Sequence, residues 1–415
     1  YQNKAMRTLA LAYVESNGSE QVLKDGKLNV NDLNFVGIFG ISDPVREDVP
    51  AAINDCVSAG IQVKIVTGDT SGTAKEIGRQ IGLWNEKDTD KNILTGTEFA
   101  AMTDDELLNR VEDVKILSRA RPNDKERLVR LLQKRGLVVA ATGDGTNDAP
   151  ALNVADVGLS MGDGTAVAKE ASDMTIQDNS FSTIANAVMW GRSLYENIQR
   201  FLLFQLTVNV TACFLVLVGA FMGTQSPLTV TQMLWINLIM DTFAAIALAS
   251  LPPSKSVMND KPRDRKASIL SDSMRKEILG VGFFFFFLLV AMLFVFEHGD
   301  YTSMRDLLNL YIGERDSLTT YELTLLFTTF VMTHFFYLFN ARAFETGKSA
   351  LHFKGCQGLL AIIAVVFLGQ IAMVEIPFLQ DFFNVCGLKF EDWIIIIIGS
   401  SLVLWVREIW HLITK

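Results

Sequence analysis

The two halves of this 415-residue chain are patterned differently. After about residue 200, apolar runs reach the roughly 20 residues needed to cross a hydrocarbon core. Six such runs, at about 201–222, 229–250, 277–296, 323–341, 357–376 and 393–411, predict six membrane-spanning helices. Before residue 200 the apolar runs are short and alternate with helical periodicity. Residues 35–41 read as a buried strand, followed by a turn at Asp43-Pro44 and a helix over about 47–59. Residues 62–66 read as a second strand with a helix over about 72–82, then 115–118 and 137–141 as two more and 157–159 as a short fifth. Alternation of this kind predicts a parallel α/β sheet, in which ligands sit at the carboxyl ends of the strands.

Charge in the loops sets the expected orientation. Lys255, Lys261, Arg263, Arg265 and Lys266 follow the second run, with Arg275 and Lys276 beyond. Arg342, Lys348 and Lys354 follow the fourth run, and Arg407 and Lys415 close the chain. The alternate loops lean acidic. Glu297, Asp300, Asp306, Glu314, Asp316 and Glu322 face only Arg305 and Arg315, and Glu375, Asp381, Glu391 and Asp392 face only Lys389. The soluble half and the C-terminus are therefore expected on the cytoplasmic side, in a plasma membrane or a bacterial inner membrane. Hydrophobic residues make up 49% and charged residues 20%, with a net charge of −9. An acidic chain without a basic stripe excludes nucleic acid as a partner and leaves membrane lipids. The four cysteines, Cys56, Cys213, Cys356 and Cys386, form no CxxC pair, so neither zinc nor a disulfide framework is expected. The chain opens on Tyr1 without a signal-peptide pattern, as a piece of a longer protein would.

Polar residues at membrane depth are costly and therefore informative. The second run carries Asn237 and Asp241, four apart and expected on one helix face, where they offer hard oxygen ligands to a cation. The first carries Thr207 and Asn209, which suit hydrogen bonds between helices. His334, Gln370 and Glu375 are weaker signals, the last interfacial. In the soluble half, the strand ends carry Thr67-Gly68-Asp69, then Arg119 to Lys125, then Thr142-Gly143-Asp144-Gly145-Thr146-Asn147-Asp148. Glycines let backbone amides approach an anion. Asp144 and Asp148, flanking a tight turn, suit magnesium, which takes one or two carboxylates with waters and phosphate oxygens. Lys125 can balance phosphoryl charge, and the Thr67 hydroxyl with the Gly68 amide can hold phosphoryl oxygens. Taken alone a TGD turn is a common loop and a lone lysine a solvated one; the order and placement carry the signal. Walker A is absent.

These runs resemble the P-type cation-transporting ATPases, within the haloacid-dehalogenase-like phosphotransferases. The resemblance rests on 142–152, Asp43 to Arg46, Thr67-Gly68-Asp69 and Met161 to Thr165, and covers essentially the whole chain. Residues 205–210 and 237–243 are most similar to plasma-membrane-type calcium pumps. It implies a haloacid-dehalogenase-like α/β phosphorylation domain with a parallel sheet over 35–182, preceded by a nucleotide-domain tail over 1–34. A stalk helix over 183–200 then leads into an all-α six-helix transmembrane bundle over 201–415, equivalent to helices five to ten. Asp144 would hold magnesium with Asp148 in support; Lys125, Thr67 and Gly68 would meet the phosphoryl group; Asp69, Arg119, Asn147 and Arg7 would reach ATP. Asn237 and Asp241 would hold the transported calcium. An acidic residue of two-calcium pumps falls on Ala212, which implies one calcium per cycle, and His334 falls loosely where those pumps place a carboxylate. No DKTGT or TGES occurs. The nucleophilic aspartate, the actuator domain and helices one to four would belong to a missing N-terminal half, without which this chain is expected to be inactive. Manganese or another cation, or a non-catalytic truncated membrane protein, are the alternatives; calmodulin control through a C-terminal tail is not expected.

Overall fold

A computed structural model describes residues 1, 6–15, 23–24, 27–28, 33–41, 44–308, 317–353 and 356–413. They form two compact units, one of residues 1–190 with 255–267, the other of 191–254 with 268–415. Asp43, Glu314, Arg315, Asp316, Lys354 and Lys415 lie outside the described residues.

In the first unit, β1 (Arg7–Tyr13) pairs antiparallel with β4 (Asn34–Ile41), and β2 (Leu23–Lys24) with β3 (Lys27–Leu28). The expectation of a buried strand at 35–41 is overturned. Phe35, Val36, Ile38, Phe39 and Ile41 are all exposed. Among the described residues this strand pairs only with β1.

The parallel sheet is present as two sheets of three strands. One orders β5 (Ile65–Val66), β7 (Ile116–Ser118) and β6 (Ile93–Thr95); the other orders β10 (Met174–Ile176), β9 (Val157–Met161) and β8 (Ala140–Gly143). All four pairings are parallel. β6 and β10 were not among the strands expected from the sequence. Helices α1 (Val49–Ser58) and α2 (Ser71–Gln80) flank β5, and α2 starts where Thr70 accepts a hydrogen bond from the Thr73 amide. α3 (Gly96–Ala101) and α4 (Asp104–Leu108) open with capping boxes, Thr95 with Glu98 and Thr103 with Glu106. α5 (Pro122–Lys134) buries Leu128, Leu131 and Leu132, a helical stripe, against Leu94, Phe99, Leu107 and Leu117. α6 (Ala149–Val154) and α7 (Ala166–Glu170) follow β8 and β9. Residues 255–267, which connect two membrane helices, also belong to this unit: Pro262 packs where a Cβ on Gly60 would lie 2.6 Å from its Cδ, and Arg265 pairs with Asp156 at 3.0 Å.

α8 (Phe181–Met222) runs unbroken for 42 residues, so the predicted stalk and the first span are one helix. The bundle continues with α9 (Val230–Leu234), a π-helical turn over Trp235–Met240, and α10 (Asp241–Ala249), which together make the second span. α11 (Asp272–Glu297), α12 (Thr320–Arg342), α13 (Gln357–Glu375), the short α14 (Pro377–Phe383) and α15 (Phe390–Ile413) complete it. Six of these helical stretches are long and apolar enough to cross a membrane. α12 is the central one, with 89% of its apolar window inside the bundle. Several charges read as loop charges are in fact buried ties. Glu322 accepts from the Thr319 and Tyr301 amides, Asp392 from Ser303, Met304 and Tyr321, and Arg342 donates to the carbonyls of Ala350 and His352.

Candidate functional site

The strand ends of the first unit are tied into one chain of contacts. Past β5, the Thr67 hydroxyl donates to Asp69 Oδ2 at 3.1 Å and accepts from the Asp69 amide at 3.1 Å. The turn after β7 is bonded back to it, Arg119 N–H to the Asp69 carbonyl and Ala120 N–H to the Thr67 carbonyl, each 2.9 Å. Arg119 takes the left-handed backbone region at φ +48°, a conformation that costs about 1 kcal/mol and is held by these bonds. Gly96, at the end of β6, is required here, because a Cβ would lie 2.3 Å from the Arg119 carbonyl oxygen.

The next link is the start of α5. Pro122 occupies its first turn, and buried Asp124 accepts from the Arg121 amide at 2.8 Å, which fixes where the helix begins. Lys125 then reaches across to Asp148, Nζ to Oδ1 at 2.5 Å. The other oxygen, Asp148 Oδ2, accepts from the amides of Asp144 and Gly145 at 3.2 and 3.1 Å. Both oxygens of this buried carboxylate are therefore engaged. Asp144 is the opposite case: its side chain is exposed and has no hydrogen bond or ion pair among the described residues. Its backbone is held from behind, since Thr165 N–H donates to the Asp144 carbonyl at 2.8 Å and Gly164 lies where a Cβ would come 3.0 Å from that oxygen. Two carboxylates four residues apart thus differ in role. Asp144 is available to a hard divalent cation that keeps most of its waters, and Asp148 braces the turn that presents it. The donor set fits magnesium. Thr67 and Asp69 are half-buried, while Gly68, Arg119 and Asn147 are exposed. The side chain of Arg7 lies outside the described residues.

Lys64, just before β5, was not singled out by the sequence. Its ammonium donates to the carbonyls of Val111, Glu112 and Val114 at 2.7–3.0 Å, and burial pushes it down to about 8 from 10.5. It closes the turn before β7 onto β5. Gly96 and Lys64 share one sequence signal, a small or charged residue next to a strand end, and Asp124 is an acid in the first turn of a helix; both signals are too common to act on.

In the second unit, Asp241 is 3% exposed and neither carboxylate oxygen has a hydrogen-bond partner among the described residues. It directly follows the π-helical turn, a rare irregularity that gathers at functional sites. Asn237, inside that turn, is exposed, so the expected shared face is not a shared degree of burial. Thr207 is buried and donates to the Leu203 carbonyl and toward the Tyr337 hydroxyl, and Asn209 is half-buried. Buried His334 on α12 bonds the Phe330 carbonyl through Nδ1 at 2.7 Å and leaves Nε2 unpartnered. Gln370 is also fully buried with both amide atoms unpartnered, whereas Glu375 accepts from the Trp393 indole at 2.8 Å near a helix end. Among the described residues no three His, Cys, Asp or Glu side chains cluster as metal ligands.

Comparison with known families and proteins matches this two-part organisation. Residues 225–413 match the C-terminal region of cation-transporting ATPases. Residues 7–156, and again 125–188, match haloacid dehalogenase-like hydrolases. A putative plasma-membrane-type calcium-transporting ATPase 13 of Arabidopsis thaliana is 39% identical over 94% of this chain and 36% of its own length. The plasma-membrane-type calcium-transporting ATPase 5 of Oryza sativa subsp. japonica is 39% identical over 97% of the chain and 36% of its own. Plasma membrane calcium-transporting ATPase 4 of Homo sapiens is 38% identical over 96% and 33%. The chain thus spans about a third of the length of these relatives. On these matches residues 225–413 belong to the C-terminal membrane region of the cation-transporting ATPases, and residues 7–156 to the haloacid dehalogenase-like domains, as in the calcium-transporting ATPases that the chain is similar to.

Proposed function

We propose that this chain is the phosphoryl-handling and membrane part of an ATP-driven calcium pump, moving one calcium per cycle through an aspartyl phosphate carried by a longer protein. The observation that carries the reading is Asp241, a buried carboxylate with both oxygens unpartnered beside a π-helical turn in a membrane helix. An intramembrane carboxylate in that state marks an ion path. Ala212 is buried and brings no oxygen to the neighbouring helix, which favours a single ion.

In the first unit, magnesium bound at Asp144 would neutralise developing charge on a transferred phosphoryl group. The chain's own residues do the rest. Asp148 and the amides of Asp144 and Gly145 hold the turn rigid, Lys125 brings a positive charge beside it, and the Thr67 hydroxyl and Gly68 amide offer donors to phosphoryl oxygens. Asp69, Arg119 and Asn147 stand exposed or half-buried at the same strand ends, where ATP would reach them. Two features favour a longer protein as the working unit. β5 and β8 each end a parallel sheet with one edge unpaired among the described residues, and the β1–β4 ribbon exposes its apolar side chains. Such edges and patches are ordinarily covered. On its own the chain would not turn over ATP. The connection at 255–267, packed into the first unit, would couple phosphoryl transfer to the membrane helices, with that unit cytoplasmic. The test is uptake of radioactive calcium by vesicles containing the complete protein, in competition with manganese. Calcium uptake driven by ATP is expected; uptake of manganese alone would overturn the calcium assignment.

A further inference from the structure

The amide that the sequence pairs with Asp241 is Asn237, yet Asn237 is exposed while Asp241 is buried. A different amide reaches the carboxylate. Phe204 of α8 and Met240 and Ala244 of the second span line one small apolar cavity. The two helices therefore face each other at this level, and Gln205 and Asp241 are the next residue on each. The Gln205 side chain is the polar group within reach of the Asp241 carboxylate. The carboxylate oxygens are nonetheless buried with no hydrogen bond of ordinary length, a state that disfavours the empty site and favours an arriving cation.

We propose that Gln205 is a further ligand of the transported cation, its amide oxygen and the Asp241 carboxylate forming the pair that binds the ion between α8 and the second span. This rests on the cation reading of Asp241 given above. A glutamine suits the place because it serves both states. Its NH2 group donates toward the carboxylate when the cation is absent, and a turn about the last torsion brings the hard carbonyl oxygen to the ion when it is present.

The test is labelling of Asp241 in the complete protein in lipid vesicles by a membrane-permeant carbodiimide, a reagent for carboxyl groups in apolar surroundings. Calcium protection is titrated and read by peptide mass spectrometry. Unsubstituted protein, Gln205→Leu and Gln205→Glu are compared. Gln205→Leu keeps the size and removes the oxygen, and is expected to need on the order of tenfold more calcium for half-protection, the scale of one lost bond to a charged group. Gln205→Glu, which keeps an oxygen, is expected to stay within about threefold of the unsubstituted protein. The same midpoint in Gln205→Leu as in the unsubstituted protein would overturn the inference and leave the cation reading standing. An equal loss in both variants would also overturn it, by assigning Gln205 a packing role. If calcium fails to protect the unsubstituted protein, the calcium reading of Asp241 falls, and this inference with it.

Discussion

Gly143→Ala is expected to unlock the turn that presents Asp144. A Cβ there would lie 2.3 Å from Asp148 Cβ, 2.6 Å from its Cγ and 2.7 Å from Oδ2. Ordinary contact begins near 3.4 Å, so Asp148 must retreat by about 1 Å. Nothing flexible is available to give, because Asp148 is pinned by Lys125 at 2.5 Å and by two amides at 3.1 and 3.2 Å. Overpacking costs about 1–3 kcal/mol, and weakening bonds to a charged group costs about 1.5–3 kcal/mol. The two terms overlap, so about 3 kcal/mol is the expected loss of local stability, or about 100-fold in the opening equilibrium. Amide hydrogen exchange read on peptides covering 140–150 measures that opening directly. Gly68→Ala is the internal control: nothing lies within 4 Å of its added Cβ and its φ is not in the left-handed region. Its exchange is expected to stay within about threefold of the unsubstituted protein. If Gly143→Ala exchanges no faster than Gly68→Ala, the account of Asp148 as a rigid brace is wrong.

Further outcomes follow from the same contacts. Lys125→Met leaves Asp148 buried without its cation; ATPase turnover of the complete protein is expected to fall at least 100-fold while membrane insertion is unchanged. Lys64 binds its proton less tightly folded, at about 8, than unfolded, at 10.5, so between those values the unfolded chain holds more protons and stability rises with pH. The urea-unfolding free energy of the first unit, followed through Trp84 fluorescence, is expected to climb from pH 8 to pH 10 by at most about 3 kcal/mol, and Lys64→Met is expected to abolish that climb while lowering stability throughout. Gly60→Val places a branched side chain at φ +74° against Pro262 and is expected to release residues 255–267, speeding tryptic cleavage at Arg263, Arg265 and Lys266.

The six spans were legible because roughly 20 apolar residues in a row leave few other fates, and the glycine- and aspartate-bearing strand ends because their order is unusual. Burial was less legible than element type. Residues 35–41 are apolar on both faces, which reads as a covered strand, but coverage depends on what packs against it, and among the described residues it pairs only with β1. The Asn237–Asp241 spacing sets a shared face and not a shared burial, since Asn237 is exposed where Asp241 is buried. Gln205 went unnoticed since its importance lies in the level at which two helices meet, which no single helix encodes.

The central claim is that Asp241 holds the cation whose binding triggers ATP turnover. The most direct measurement is calcium-stimulated ATPase of the complete protein in lipid, beside Asp241→Asn, which keeps the shape and removes the charge. Calcium is expected to stimulate the unsubstituted protein and to leave the variant at its basal rate. Equal stimulation of both would contradict the account.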